Sequence, residues 1–147
     1  MHHTETRKII IVEDDPYTQD LLGTAFRALN FDVTILPDAD EPFLETVREK
    51  RPDIISMDVM IGKNGAAANR DGFAALTLLR ETEDTKDIPV MIVSNFSEES
   101  HVARAKELGA SDYFIGSAYK PSSIAKQFLI YLSDPEGYEP VHPLCKE

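Results

Sequence analysis

The sequence is short of positive charge, of cysteine and of long apolar runs, and each shortage removes a class of function. Lys and Arg number 15 against 26 Asp and Glu, a net charge of -11. A surface of that sign repels nucleic acid and anionic membranes unless a local basic patch overrides it, and no such patch is visible along the chain. The longest fully apolar runs fall far short of the roughly 20 residues of a membrane-spanning helix, and Met1 to Lys8 lacks the apolar core of a secretory signal. The only cysteine, Cys145, has no partner for an internal disulfide, which agrees with a reducing compartment. The expectation is a soluble, cytoplasmic protein. Neither a Walker-type Gly-Lys-Ser/Thr nor a Gly-x-Gly-x-x-Gly fingerprint occurs, which argues against a nucleotide enzyme. His2, His3, His101 and His142 are too scattered to suggest a zinc site. There is no internal repeat and no linker, and 147 residues fit one domain with little room for a separate output module.

What the chain does have is apolar segments that alternate with helical patterns, with strands near 8–12, 32–36, 53–57, 89–93 and 111–115. Strands alternating with helices imply right-handed crossovers and a mostly parallel α/β sheet covered on both faces. Leu21, Leu22, Ala25, Phe26 and Leu29 recur at helical spacing after Pro16, a stripe that faces the core. A second helix near 40–50 offers Phe43, Leu44 and Val47, and a third from about Gly72 carries Phe73, Leu76 and Leu79. Ser97 reads as the N-cap of a fourth, which Gly109 ends, and a fifth follows Pro121. The expected organisation is a flexible N-terminus over 1–6, one folded domain over 7–133 and an irregular tail over 134–147. With three prolines in the fifteen residues from Ser133, the tail is expected to be disordered, with Tyr138 and Leu144 as its candidate anchors.

Four of the apolar runs stop at polar residues of a kind suited to handling a phosphoryl group. The first ends at Glu13-Asp14-Asp15, the third at Asp58 and the fourth at Ser94, while Lys120 follows the fifth. Parallel strands bring their carboxyl ends to one edge of a sheet, so these residues are expected to meet. An aspartate after a strand is as often a turn former or helix cap as a functional group. The pair Glu13-Asp14 shifts those odds, because close carboxylates repel by roughly 4 kcal/mol per pair at moderate dielectric. Such a cluster calls for a cation, and an all-oxygen set suits Mg2+. Singly, Ser94 reads equally as a turn residue and Lys120 as a solvated lysine. Jointly they supply a phosphate with a hydroxyl donor and a mobile point charge.

Val12-Glu13-Asp14, the strand ending at Asp58, the later Asp71-Gly72, Val93-Ser94 and the final Lys120-Pro121 together resemble the receiver domain of two-component response regulators, of the stand-alone type. The resemblance covers about residues 7–133, and its five motifs together are highly specific. It implies a flavodoxin-like, doubly wound sheet of order 2-1-3-4-5, with Asp58 accepting a phosphoryl group from a histidine kinase or histidine phosphotransfer protein. It also implies Asp14 as a direct Mg2+ ligand, Glu13 acting mostly through water, the Met60 carbonyl as a further ligand, and Ser94 and Lys120 on the phosphoryl oxygens. Asp15 is then an extra acid beside the pocket. An aromatic near strand five is expected to follow Ser94 when it moves, with Tyr113 as first candidate and Phe114 and Tyr119 as competitors. The domain is thus expected to be regulatory rather than an enzyme, to signal to a protein target, and to use its surface from helix four to helix five for contacts, with homodimerisation left open.

Three departures from the family stand out. The segment Val59 to Asp71 is roughly half a dozen residues longer than usual and lies over the expected pocket, where Lys63 or Arg70 would reach a phosphate. Gly116 to Tyr119 separates strand five from Lys120, so this stretch must loop out if the lysine is to enter the site, although Lys120-Pro121 resembles the family's cis peptide. Asn95 stands where the family prefers a small residue, and the bulky Met60 and Phe96 flank the pocket, which predicts slow hydrolysis of a phosphoryl form. The competing readings are a phosphorylation-independent interaction module on the same fold and, more distantly, an α/β phosphatase with an aspartate nucleophile. The phosphatase reading expects Asp-x-Asp after strand one, where this chain has Glu13-Asp14-Asp15.

Overall fold

Residues 6–61 and 70–146 are described by a computed structural model, and in them the apolar runs become five parallel strands. These are β1 (Arg7–Val12), β2 (Phe31–Leu36), β3 (Ile54–Met57), β4 (Val90–Ser94) and β5 (Asp112–Ile115), in the order β2-β1-β3-β4-β5. The connecting helices are α1 (Pro16–Ala28), α2 (Phe43–Lys50), α3 (Gly72–Glu81), α4 (Glu99–Glu107) and α5 (Pro121–Ser133). The α/β class and the strand order are as expected from the sequence.

Each strand of the middle of the sheet is apolar on both sides because both of its faces are covered. Ile9 and Ile11 pack with Leu22 and Phe26 of α1 and with Ile124, Ala125 and Phe128 of α5. Ile10 and Val12 point the other way, into a second layer with Phe43 and Val47 of α2, Leu76 and Leu79 of α3, and Val102 and Ala105 of α4. The same alternation separates the aromatics of β5, with Tyr113 on the α4 side and Phe114 on the α1/α5 side. Phe26 anchors the latter layer, its ring edge-on to Phe31 and Phe128.

Local chemistry sets most helix ends. Asp15 caps α1, accepting from the N–H of Thr18 at 2.9 Å, and Pro16 sits in the first turn, where its missing N–H costs nothing. Asp71 caps α3 through the N–H of Ala74. Ser97 is not the cap of α4. That position falls to Glu98, whose carbonyl accepts from His101 and Val102 without a side-chain cap bond. Gly109 does end α4, at φ +100.

Gly72 matters more directly to the site. Its N–H donates to the carbonyl of Val59 at 3.1 Å, and a Cβ there would lie 2.4 Å from the Asp58 carbonyl oxygen and 2.6 Å from Val59 Cα. Both are backbone atoms, so the turn after β3 must move to admit a side chain. Gly72→Ala is expected to destabilise the fold by about 1–3 kcal/mol. A lower urea midpoint at unchanged slope would show it, whereas a wild-type midpoint would mean that the turn relaxes freely.

Two further sequence expectations fail. The cis X–Pro bond among the described residues is Glu41–Pro42, not Lys120–Pro121. The tail is not a free extension: Tyr138 is half-buried and Cys145 is 6% exposed, although the second anchor expected, Leu144, stays at the surface. The physical reason is a buried acceptor on β5, Asp112, that tail donors satisfy.

Candidate functional site

Register brings the polar strand ends together. The last pair of the β1–β3 ladder is Val12↔Met57, so Glu13 and Asp58 are the next residues along two adjacent strands. Two backbone bonds hold those positions, from Asp58 N–H to the Val12 carbonyl at 3.1 Å and from Glu13 N–H to the Leu36 carbonyl at 3.0 Å. Ligand atoms of Glu13, Asp14 and Asp58 lie within 4.8 Å of one another. They border an open cavity of about 320 Å³ together with Asp15, Thr18, Met60, Ser94, Asn95, Phe96 and Gly116.

The carboxylates are held differently. Glu13 is 6% exposed, and one oxygen accepts the Asp15 N–H at 3.0 Å. Burial, followed by the charge of Asp58, pushes its carboxyl up to about 8, against the opposing Asp15 N–H. Asp58 is raised by burial as well, while the Met60 N–H, at 3.1 Å, and the Ser94 hydroxyl favour its charged form. Three acids share one concave site, and the raised proton affinity of Glu13 and Asp58 gives it the character of a cation site in which protons compete with metal. The oxygen-only donor set fits a hard divalent ion, with Glu13, Asp14 and Asp58 supplying the charge. Met60 also lines the cavity.

Ser94, 4% exposed, ends β4 beside Asp58, and its oxygen also accepts the Phe96 N–H at 3.3 Å. Tyr113 reaches the same corner from β5, where its hydroxyl donates to the Phe96 carbonyl at 2.7 Å and burial pushes its pKa up to about 12. Phe114 lies on the opposite face of the sheet and Tyr119 is 38% exposed, so Tyr113 is the aromatic on the site side.

Lys120 does not line the cavity. Gly116–Ala118 form a single 3-10 turn instead of looping out, and Lys120 follows as the exposed N-cap of α5, outside the cavity lining. Asn95 fixes this arrangement by accepting the Ser117 N–H at 2.8 Å. Arg70 also turns away from the cavity, donating to the Ala39 carbonyl at 2.7 Å and to Glu41 at 3.0 Å. Lys63 lies outside the described residues. Sequence reasoning missed Thr18, which lines the cavity, and Gln19, whose amide donates to the Glu13 carbonyl at 2.7 Å. The signal for both was available, since Asp15 caps the helix on whose first turn they lie.

The fold and the acidic edge together define a class. Residues 9–126 match the response regulator receiver domain family, and the chain belongs to it. It is the receiver domain of a two-component response regulator. Among relatives, it is 34% identical over 119 residues to the transcriptional regulatory protein BaeR of Escherichia coli, covering 81% of this chain and 45% of that one. It is 27% identical to the DNA-binding response regulator MtrA of Mycolicibacterium smegmatis, covering 82% and 48%. The chain thus spans about half the length of these curated relatives. Among solved structures, the signal receiver domain of a signal transduction histidine kinase from Syntrophus aciditrophicus superposes with a TM-score of 0.72 at 26% identity, covering 93% of this chain and 98% of the other. The beryllofluoride-activated receiver domain of Klebsiella pneumoniae RstA shares the fold, with a TM-score of 0.73 at 24% identity over 86% and 98%.

Proposed function

We propose that this domain is a phosphoacceptor switch, phosphorylated on Asp58 by a phosphohistidine donor, either a histidine kinase or a histidine phosphotransfer protein. The observation that carries the reading is the convergence of Glu13, Asp14 and Asp58 beside the buried Ser94 in one cavity. In the reaction, a carboxylate oxygen of Asp58 attacks phosphorus, the phosphorus–nitrogen bond to the donor imidazole breaks, and the product is an aspartyl phosphate. Asp14, Asp58 and the Met60 carbonyl would hold Mg2+ directly, with Glu13 acting through water. When bound, the ion neutralises charge on the phosphoryl oxygens. Ser94 donates a hydrogen bond to one of those oxygens. Lys120 serves another only if its side chain reaches from the exposed start of α5 across Gly116.

The phosphorylated domain signals through protein contacts or onward phosphotransfer, in the cytoplasm, as a regulator and not as an enzyme acting on outside substrates. A net charge of -11 disfavours nucleic acid as the direct partner of this domain. No helix among the described residues is long and apolar enough to cross a membrane.

Intact mass after incubation with acetyl phosphate and Mg2+ tests the reading, with a gain of one phosphoryl group expected in the wild type. Met60 and Phe96 border the cavity and limit the approach of water, so the adduct is expected to persist for minutes or longer in buffer. Complete loss within seconds would contradict that shielding. The position of Lys120 favours one second reading, a phosphorylation-independent interaction module. No mass gain from a domain shown to bind Mg2+ would select it.

A further inference from the structure

The carboxyl of Asp112 takes no part in the acidic cavity, yet it is fully buried and accepts four hydrogen bonds. One comes from its neighbour in the strand, the Tyr113 N–H, at 2.8 Å. The other three come from the C-terminal segment: the Tyr138 hydroxyl, the Val141 N–H at 2.7 Å and the His142 N–H at 3.1 Å. Further along, the turn Pro143–Cys145 lies on α4, Cys145 enters the α4-side core, and Lys106 donates to the Lys146 carbonyl at 3.2 Å. Between Asp134 and Lys146 only Cys145 is buried. A segment held by a polar latch, one buried core residue and the partly buried Tyr138 and Val141 at the edge of the α5-side core opens at lower free energy than the sheet beneath it.

The same segment touches Tyr113, whose hydroxyl reaches Phe96 at the border of the cavity. The His142 ring lies edge-on to Tyr113, with centroids 5.9 Å apart. At its other end Tyr113 bonds to the Phe96 carbonyl and feels both the Ser94 hydroxyl and the charge of Asp58. Asp58, Ser94, Tyr113 and His142 are therefore contiguous from the cavity to the tail, the physical requirement for coupling between them.

We infer that residues 134–146 are a regulatory strap, latched on Asp112, whose docking over β5 and α4 is coupled through Tyr113 to the phosphorylation state of Asp58. The inference rests on the phosphoacceptor reading above. A phosphoryl group on Asp58 competes for the Ser94 hydroxyl that now faces Tyr113, and a shift of Tyr113 disturbs the ring against which His142 packs. Release uncovers the strip of α4 and β5 beneath the tail. Linkage is reciprocal, so a loosened strap also favours phosphorylation.

Cys145 is the chain's only thiol, and its labelling by an aromatic disulfide reagent reads strap opening at one position. In the full-length chain, Tyr138→Phe removes one donor to a buried acid and is expected to speed labelling about tenfold or more. Acetyl phosphate with Mg2+ is expected to speed wild-type labelling severalfold, in step with the mass gain at Asp58. In His142→Ala, where the latch to Asp112 keeps its backbone donors, that acceleration is expected to shrink. Unchanged labelling in Tyr138→Phe overturns the latch. A mass gain with unchanged labelling overturns the coupling alone, whereas no mass gain overturns the phosphoacceptor reading and the coupling with it.

Discussion

Asp58→Asn is expected to abolish phosphoryl uptake and at the same time to make the metal-free protein more stable. The amide keeps the shape of the side chain but has no nucleophilic oxygen anion, so the mass gain from acetyl phosphate should vanish rather than decline. The stabilisation has a separate origin. In the wild type, Asp58 is the second-largest cause, after burial, of the rise in Glu13 to about 8, and Asp14 adds to the repulsion. Removing one of three clustered charges is expected to gain about 1–3 kcal/mol in chelator at pH 9, where the remaining carboxyls are ionised. Chemical denaturation of both proteins would measure it. The two effects have opposite signs, as expected of a site whose charge is kept for function at the expense of stability. Equal stability of variant and wild type would mean that solvent already screens the cluster.

The metal-free protein is expected to lose stability as pH rises from about 4.5 to about 8, and Mg2+ to restore it most at the alkaline end. The sign follows from Glu13, which is raised from 4.5 to about 8 by burial and by Asp58. Within that window the folded chain binds more protons than the unfolded one, so its stability falls with pH. The contribution is complete below 4.5, declines through the window and is gone above about 8, a loss on the order of a few kcal/mol. Mg2+ requires the ionised carboxylates, so its affinity should rise over the same range. At a hundred times its dissociation constant it would add about 2.7 kcal/mol. Denaturation in chelator and in Mg2+ at pH 5, 6.5 and 8 gives the comparison. A metal-free stability that rises steadily from pH 5 to 8 would show that Glu13 titrates as an ordinary surface acid.

What was legible in advance was whatever rests on repeating, local chemistry. A strand buried on both faces needs a continuous apolar run, so Ile9 to Val12 and Val90 to Val93 declared themselves, and with them the edge where Glu13, Asp58 and Ser94 meet. The starts of α1 and α3 were legible from Pro16 and Gly72, although the side chains that cap them, Asp15 and Asp71, were not read as caps. The start of α4 was misread, because only backbone does the capping at Glu98. The choice among Tyr113, Phe114 and Tyr119 needed the face of β5 on which each lies.

The sequence by itself determined the parallel sheet and the polar strand ends, because apolar periodicity and strand-end residues are properties of short stretches, whereas the strand order came only from the resemblance of the motifs to the receiver family. Only the tertiary structure decided where Lys120 and the tail go. Lys120 follows from how Gly116–Ala118 coil and what Asn95 ties them to. The tail follows from Asp112, whose buried carboxyl receives a single donor from β5, the Tyr113 N–H, and finds three more 26, 29 and 30 residues further along the chain. Pairings over that separation leave no mark on either segment alone, since each reads as ordinary polar sequence until the fold buries one of them.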